Sequence, residues 1–295
     1  MGFADLPYDE LHGRLIARAR KLGMPVHTYG VIRYPKVAYP LIRIGNLRAA
    51  SLIVVEAGLH GEERAGPLSV LVHLREMQLH AEKRGMSLVV YPCVNPSGFD
   101  SGTRYNAMDE DCNNDFMRYV RDNVLVSDLR NSTRFDSWVW SSDPMLNLGL
   151  PAETKLLHKD FRKLPFSRIL GMADLHQDYF CERKLSYAYI FGSGEEYFPI
   201  ARRVSRLVPL LKHSPIDSGY KPVPSEETPC TDAYGLVCRH DGGITDLFYR
   251  MGTRHCVTVE TTGKVPLRTA MRVNLLWTKG IMDLAAKFRD SRGKL

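Results

Sequence analysis

The residues from Ser51 to Met77, SLIVVEAGLHGEERAGPLSVLVHLREM, decide the fold of this chain. Leu52–Val55 is apolar, rich in β-branched residues and too short for a helix, which predicts a buried strand. From Leu68 onward the apolar residues recur at helical spacing. The polar sequence His60–Glu63 therefore lies at a strand-to-helix junction, beyond the carboxyl end of the strand. Open α/β sheets bind their ligands at this place.

His60 and Glu63 are three residues apart at that junction, so both side chains can point into one space. An imidazole nitrogen and a carboxylate oxygen are two of the three protein ligands of a catalytic zinc site of the His₂Glu type. The alternative is an ordinary helix N-terminus, at which Glu62 and Glu63 only favour the positive end of the helix dipole. The rest of the chain decides between these interpretations.

The remaining pattern predicts one α/β domain with a mixed, mostly parallel central sheet flanked by helices. Ser87–Val94 is a second buried strand and completes a βαβ unit with Leu52–Val55. Further elements are strands at Arg168–Leu175 and His255–Glu260, helices at 7–23, Pro151–Leu164, Glu195–Lys212 and Pro266–Phe288, a hairpin or edge strands at Val26–Ile44, and polar loops at 95–144 and 214–243. No linker divides the chain, so we expect a single domain over residues 1–295. Residues 1–50 form an N-terminal helix and edge strands, and residues 51–295 form the catalytic core.

The composition is that of a soluble globular protein, with 44% apolar and 25% charged residues among 295. No apolar run reaches the roughly 18 residues of a membrane span, and the acidic N-terminus lacks the pattern of a secretory signal. The six cysteines form no C-x-x-C pair, which fits a reducing compartment. We therefore expect a cytoplasmic protein without a membrane partner. The net charge of +7 is spread along the chain, which argues against a nucleic-acid partner. The sequence leaves the oligomeric state open.

Two more polar groups follow apolar strands, His176 in ADLHQD and Glu260 in TVETTG. Because the carboxyl ends of parallel strands converge, we expect His60, Glu63 and His176 to bind one Zn²⁺ per chain and to leave one position for water. Glu260 would take the proton of that water and pass it to the leaving nitrogen. Arg104, in the polar loop, is the candidate positive partner for the oxyanion. Taken singly, His176 also fits a core histidine and Glu260 a buried ion pair, so the combination carries the prediction.

The order of these motifs resembles the zinc metallocarboxypeptidase family of the carboxypeptidase A type. His60-x-x-Glu63, NPSGFDSGTRYN, DEDCNNDF, DLH at His176 and VET at Glu260 follow the family's order over residues 51–263. The chain is especially similar to the bacterial branch of murein peptide amidases, and to the related succinylglutamate desuccinylase and aspartoacylase branch. The resemblance implies that His60, Glu63 and His176 are the zinc ligands. It also implies that Arg104 polarises the scissile carbonyl and that Glu260 is the general base.

The sequence departs from the family at the substrate-binding pair. In the family, an Asn-Arg pair grips a substrate carboxylate, and Asn113 matches the asparagine. Asn114 stands where the family has the arginine, and Asp115 follows it. An amide cannot replace a bidentate guanidinium. Either another arginine binds the carboxylate, or the substrate presents no terminal carboxylate there. The arginines open for this role are Arg118, Arg183, Arg239 and Arg250.

Three functions fit these features. The leading one is zinc-dependent hydrolysis of a peptide or peptide-like amide. The alternative is an N-acyl amino acid deacylase of the desuccinylase and aspartoacylase type, and the substrate is then an acylated amino acid rather than a small peptide. The third is a non-catalytic zinc-binding or peptide-binding protein, against which the intact Glu260 and Arg104 argue.

Overall fold

A computed structural model of the chain describes residues 6–113, 116–130, 132–216 and 228–292. Asn114 and Asp115 therefore lie outside the described residues. The strands are β1 (Val26–Tyr34), β2 (Val37–Ile44), β3 (Leu52–Ala57), β4 (Ser87–Tyr91), β5 (Met117–Arg121), β6 (Val124–Val126), β7 (Ser137–Trp140), β8 (Ile169–Asp178), β9 (Ser186–Ile190), β10 (Leu236–Val237) and β11 (His255–Thr262). The α-helices are α1 (Tyr8–Lys21), α2 (Ala65–Glu82), α3 (Pro96–Ser101), α4 (Ala152–Phe161), α5 (Phe198–Val204), α6 (Ile244–Arg250) and α7 (Leu267–Arg292).

An eight-stranded mixed sheet forms the centre of the domain, in the order β1-β2-β4-β3-β8-β11-β9-β10. The four middle strands, β4, β3, β8 and β11, are parallel neighbours. Their carboxyl ends therefore meet along one edge of the sheet. β1 and β2 form an antiparallel hairpin at the rim, and β9 joins β11 antiparallel. The predicted α/β class with a mixed, mostly parallel sheet is confirmed.

Helices cover both faces of the middle strands, which is why those strands read as continuous apolar runs. Every residue of β3 is buried. On one face, α2 and α7 pack together, and Ile281 of α7 leaves no room for a side chain at Gly171 of β8. On the other face, Thr245 of α6 hydrogen bonds Thr258 of β11 over 2.8 Å. The site described below lies on the α6 face.

The stretch 95–144, predicted as a polar loop, contains regular structure. It includes α3 and a small antiparallel sheet in the order β6-β5-β7. In β5 the side chains of Met117 and Tyr119 are buried at alternate positions. These elements are short and many turn-forming residues separate them, so the sequence pattern did not reveal the alternation.

The long helix predicted at Glu195–Lys212 is wrong in length. A short 3₁₀ turn at Gly194–Tyr197 leads into α5, which ends at Val204. The segment that follows pairs with the sheet instead, because Ser186 donates to the Pro209 carbonyl and accepts from the Leu211 N–H, both over 3.0 Å. Besides the elements within 95–144, the sequence pattern did not predict β9, β10 or α6. Within the described ranges, no helix is both long and apolar enough to cross a membrane.

Candidate metal and catalytic site

The junction that carries His60 and Glu63 is held by close backbone packing. The predicted strand-to-helix junction is present, with β3 ending at Ala57, two residues later than predicted, and α2 beginning at Ala65, three residues earlier. Gly58 has a φ of +76°, a conformation that favours glycine. Gly61 lies against the backbone of α3, where a Cβ atom would stand only 1.9 Å from the Gly98 carbonyl carbon. These contacts hold the junction so that both ligand candidates point at the sheet edge.

His176 and Glu260 reach the same place from neighbouring strands. They are partners in the parallel register of β8 and β11, so their side chains share one face of the sheet. Both residues lie inside their strands rather than after them, because the ladder continues to Asp178 and Thr262. The sequence-based strand ends at Leu175 and Glu260 are therefore too early by three and two residues.

The side chains of His60, Glu63 and His176 converge, with one ligand atom from each within 4.8 Å of the others. Nδ1 of His60 is 2.5 Å from one Glu63 oxygen, and Nδ1 of His176 is 2.8 Å from the other. The two Nδ1 atoms are 3.2 Å apart. All three residues are buried. This is the trio that the sequence predicted as ligands.

The donor set fits a zinc ion. Ligand atoms about 2.0–2.1 Å from a tetrahedral zinc are roughly 3.3 Å apart. The two Nδ1 atoms have this separation, at 3.2 Å, and the nitrogen–oxygen distances of 2.5 and 2.8 Å are somewhat shorter. Two imidazoles and one carboxylate are also the ligand types of a catalytic zinc site. A second group, Glu56, Asp174 and His176, could hold an ion too, but it lies behind His176 and shares that residue.

The electrostatics of the trio favour a cation at its centre. Burial raises the pKa of Glu63, but the two imidazoles outweigh it and lower this pKa well below its usual range. Burial lowers the pKa values of His60 and His176, but the facing carboxylates outweigh it and raise both. The pocket thus attracts protons to the place where the three ligands meet. A bound divalent cation would supply the same positive charge.

Residues behind the trio hold it in position, and the sequence reasoning missed their role. Asp174 accepts from Nε2 of His176 over 3.0 Å, which leaves Nδ1 to face Glu63 and His60. The backbone N–H of Gln177 donates to the second oxygen of Glu63 over 2.9 Å. The spacing Asp174-x-His176 was the available signal, since residues two apart in a strand share a face.

Arg104 reaches the trio from the loop after α3. Its Nη1 is 3.3 Å from Nδ1 of His60 and 3.8 Å from a Glu63 oxygen. Its Nε donates to Asp111 over 3.1 Å, which fixes the guanidinium beside the site. Asn113 and Arg104 line one cavity, together with His60 and Glu63. The structure thus brings Arg104 and Asn113 to the predicted ligands, and Asn114 lies outside the described residues.

Glu260 faces the cavity beside the trio. Its Oε2 atom is buried and has no hydrogen-bond partner among the described residues. Burial raises the pKa of Glu260 well above its usual range, and the nearby Glu63 carboxylate adds to that rise. A carboxylate with a free oxygen and a high proton affinity is able to accept a proton from a neighbouring group.

The cavity that these residues share has a volume of about 370 Å³. One part is lined by His60, Glu63, Arg104 and Glu260. The rest is formed by Arg239, one of the four arginines left open for carboxylate binding, and by side chains that the sequence did not link to the site, including Tyr187, Tyr189, Thr245, Thr258, Asp128 and Asp241. Most of them lie on β9, β11, α6 and the loops that follow β6 and β10. The order of the strands in the sheet brings these residues to the site.

Solved protein structures resemble this chain over most of its length. No protein-family model matches it, and no curated protein matches it. A candidate metallopeptidase from Shewanella baltica matches with a TM-score of 0.70 and 22% identity, over 96% of this chain and 93% of that one. Bovine thrombin-activatable fibrinolysis inhibitor, solved with tick carboxypeptidase inhibitor, gives 0.58 and 16%, over 97% and 99%. A metallo-carboxypeptidase from Burkholderia cenocepacia gives 0.60 and 12%, over 94% and 69%. At these identities the similarity shows the fold, which is carboxypeptidase-like as the motif order implied.

Proposed function

We propose that the protein hydrolyses a peptide or peptide-like amide bond, with zinc held by His60, Glu63 and His176 and with Glu260 as the general base. The observation that carries this proposal is the meeting of the His60 and His176 imidazoles with the Glu63 carboxylate, beside a cavity that His60, Glu63 and the separate Glu260 carboxylate line. The names of the structural neighbours, metallopeptidase and metallo-carboxypeptidase, support it.

The chain's own residues supply the proton transfers and the charge stabilisation. Zinc, when bound, contributes Lewis acidity that polarises a carbonyl and acidifies water. The free Oε2 of Glu260 accepts a proton from the attacking water and returns it to the leaving nitrogen. The guanidinium of Arg104 lies beside the ligands and stabilises the negative charge that develops on the carbonyl oxygen. Asp111 holds that guanidinium in place.

Hydrolysis of N-acyl amino acids is the alternative, because the same groups can perform it. The amino acid released from blocked dipeptides, compared with that released from N-succinyl and N-acetyl amino acids, separates the two reactions. Faster turnover of the N-acyl amino acids would favour the deacylase. A protein that binds zinc but hydrolyses neither series would be a non-catalytic homologue.

We also propose a cytoplasmic location. All six cysteines are unpaired in the structure, as expected for a reducing compartment. Cell fractionation with compartment markers tests this proposal, and recovery of the protein with extracytoplasmic markers would contradict it.

The test of the catalytic proposal separates metal binding from proton transfer. His60→Ala and Glu63→Gln should lower the zinc content well below one ion per chain, because each removes a ligand. Glu260→Gln should keep the zinc and lose at least about 10²-fold in kcat/KM on a blocked dipeptide, because the amide cannot accept the proton. Glu62→Gln is the matched control and should keep both zinc and activity.

Two results would contradict the proposal. Full zinc content in both ligand variants would mean that the site is elsewhere. Near-normal turnover in Glu260→Gln would mean that another group activates the water.

A further inference from the structure

A second charged cluster lines the cavity, apart from the zinc ligands and the general base. Arg239 follows β10 by two residues, and Asp128 follows β6 by two residues. Asp241 lies two residues beyond Arg239. All three side chains line the cavity of about 370 Å³ that also contains Glu260. None of them has a role in the proton transfers described above.

The guanidinium of Arg239 presents one free edge. Its Nε and Nη2 atoms both donate to Oδ2 of Asp128, over 3.2 and 2.5 Å. This side-on contact uses one edge of the planar group and holds its orientation. The other edge, formed by Nη1 and the second hydrogen of Nη2, makes no hydrogen bond to any of the residues that the structure describes. The side chain is 12% exposed, and the accessible part faces the cavity.

The strand register relates Arg239 to the catalytic groups. Across β9 and β11, Tyr187 lies opposite Glu260, and Tyr189 lies opposite Thr258. Burial raises the pKa of the Tyr189 phenol and Glu260 raises it further, whereas Arg239 lowers it, so this phenol lies near both charges. Two residues along a strand span about 6–7 Å. Glu260, Tyr189 and Arg239 all line the cavity, so a substrate with its amide bond at Glu260 can extend past Tyr189 toward Arg239.

We propose that Arg239 binds a carboxylate of the substrate, in the role that the sequence leaves vacant at Asn114. The inference rests on the proposed hydrolytic function and names its specificity. Two parallel N–H···O bonds from the free edge of a guanidinium match the two oxygens of a carboxylate. The carboxylate is either the terminal one of a peptide or that of an acidic side chain next to the scissile bond. Both present the same chemistry to Arg239.

The other open arginines do not fit this role. Arg250 donates to the Tyr119 hydroxyl over 3.0 Å, and its guanidinium lies 4.5 Å from the centre of the Phe135 ring, outside the cavity. Arg118 lies on β5 and Arg183 is exposed after β8, and neither lines the cavity. Among the described residues, the arginines that line it are Arg104 and Arg239.

The negative charge of Asp241 would instead favour a positively charged group of the substrate. One of its oxygens accepts from the Gly243 N–H over 3.0 Å, and the side chain faces the same part of the cavity as Arg239. A lone acidic group there would attract an ammonium. Burial raises the pKa of Asp241 to about 6, so this group takes up a proton readily when an anion binds beside it. Arg239 keeps its charge, and the pocket then accepts a carboxylate.

The test uses four blocked glycyl dipeptides and the zinc-loaded protein. The first ends in leucine with a free carboxylate, and the second is its carboxamide. The third and fourth are carboxamides with a glutamyl or a lysyl residue in place of leucine. Hydrolysis is followed as kcat/KM, and binding is measured by calorimetry with ketomethylene analogues, which cannot be hydrolysed. The first and third probes separate a terminal carboxylate from a side-chain carboxylate.

We expect the analogue with one of the two carboxylates to bind at least about tenfold more tightly than the leucyl carboxamide. Arg239→Met should remove this difference, with a loss of about 10- to 100-fold for the acidic analogue alone. Arg239→Lys should restore part of it, since an ammonium keeps the charge but not the bidentate fork. Arg134→Met, which removes an exposed arginine outside the cavity, should leave the preference unchanged.

Three results would overturn the role of Arg239. These are equal binding of acidic and neutral analogues (including no binding of any), a preference for the lysyl probe, or an acidic preference that survives in Arg239→Met. The lysyl result would make Asp241 the determinant of specificity. A carboxylate preference that depends on Arg239, without hydrolysis of any dipeptide, would instead refute the proposed function and leave the binding role intact.

Discussion

Replacing Asp174 should weaken zinc binding, less for Asp174→Asn than for Asp174→Ala, although Asp174 is not one of the three proposed ligands. Asp174 is 2% exposed and accepts from Nε2 of His176 over 3.0 Å. This bond fixes the imidazole so that Nδ1 faces Glu63 and His60. Removal of such a supporting partner typically costs 10- to 100-fold in metal affinity. We therefore expect replacement of Asp174 to lower the zinc affinity although the three ligand residues are unchanged.

The size of each effect follows from the kind of hydrogen bond that is lost. A hydrogen bond to a charged group contributes about 1.5–3 kcal/mol, and a neutral one about 0.5–1.5 kcal/mol. Asp174→Asn keeps an acceptor but loses the charge, so it should cost about 1–1.5 kcal/mol, or roughly tenfold in Kd. Asp174→Ala removes the acceptor as well, and should cost roughly 100-fold.

The assay is a competition between the protein and a chelator of known zinc affinity at neutral pH. Asp178→Asn is the control, because Asp178 belongs to the same strand but accepts from Tyr187 instead of a ligand. Glu56 is fully buried close to Asp174 and could replace it, so Asp174→Ala is also measured together with Glu56→Gln. A folded double variant whose zinc Kd stays within about twofold of the native value would refute the reasoning.

Two further predictions concern packing and pH. Gly61→Ala should lower zinc affinity at least tenfold and unfolding free energy by about 1–3 kcal/mol, because the new methyl group meets the Gly98 backbone. Gly13→Ala, in an open position of α1, should not destabilise the protein, and equal effects of the two changes in urea unfolding would contradict the packing argument. Burial lowers the pKa of His158 from 6.5 to about 4, so below pH 6.5 only the unfolded chain takes up this proton. The unfolding free energy should fall by about 3 kcal/mol from this residue as the pH drops from 6.5 to about 4. His158→Phe should flatten that fall, and an equally steep urea-unfolding profile in the variant would contradict it.

Local patterns in the sequence predicted the elements that carry the site. An apolar run flanked by turns identifies a buried strand without knowledge of its partners, so β3, β4, β8 and β11 were found, together with α2 between the first two. Because parallel strands end along one edge, the order of His60, Glu63, His176 and Glu260 was enough to predict that they meet. The structure brings these four side chains together. Their catalytic roles stay predictions.

The tertiary structure alone decided the elements and contacts that depend on distant partners. β9 is short, and its place beside β11 comes from pairing with a strand about 70 residues away. The segment after α5 forms hydrogen bonds with Ser186 of that strand, so the helix is shorter than predicted. The pairing of Arg239 with Asp128 joins two loops more than 100 residues apart. The hydrophobic periodicity of the sequence does not indicate such contacts, because they form only when the order of the strands brings the chain segments together.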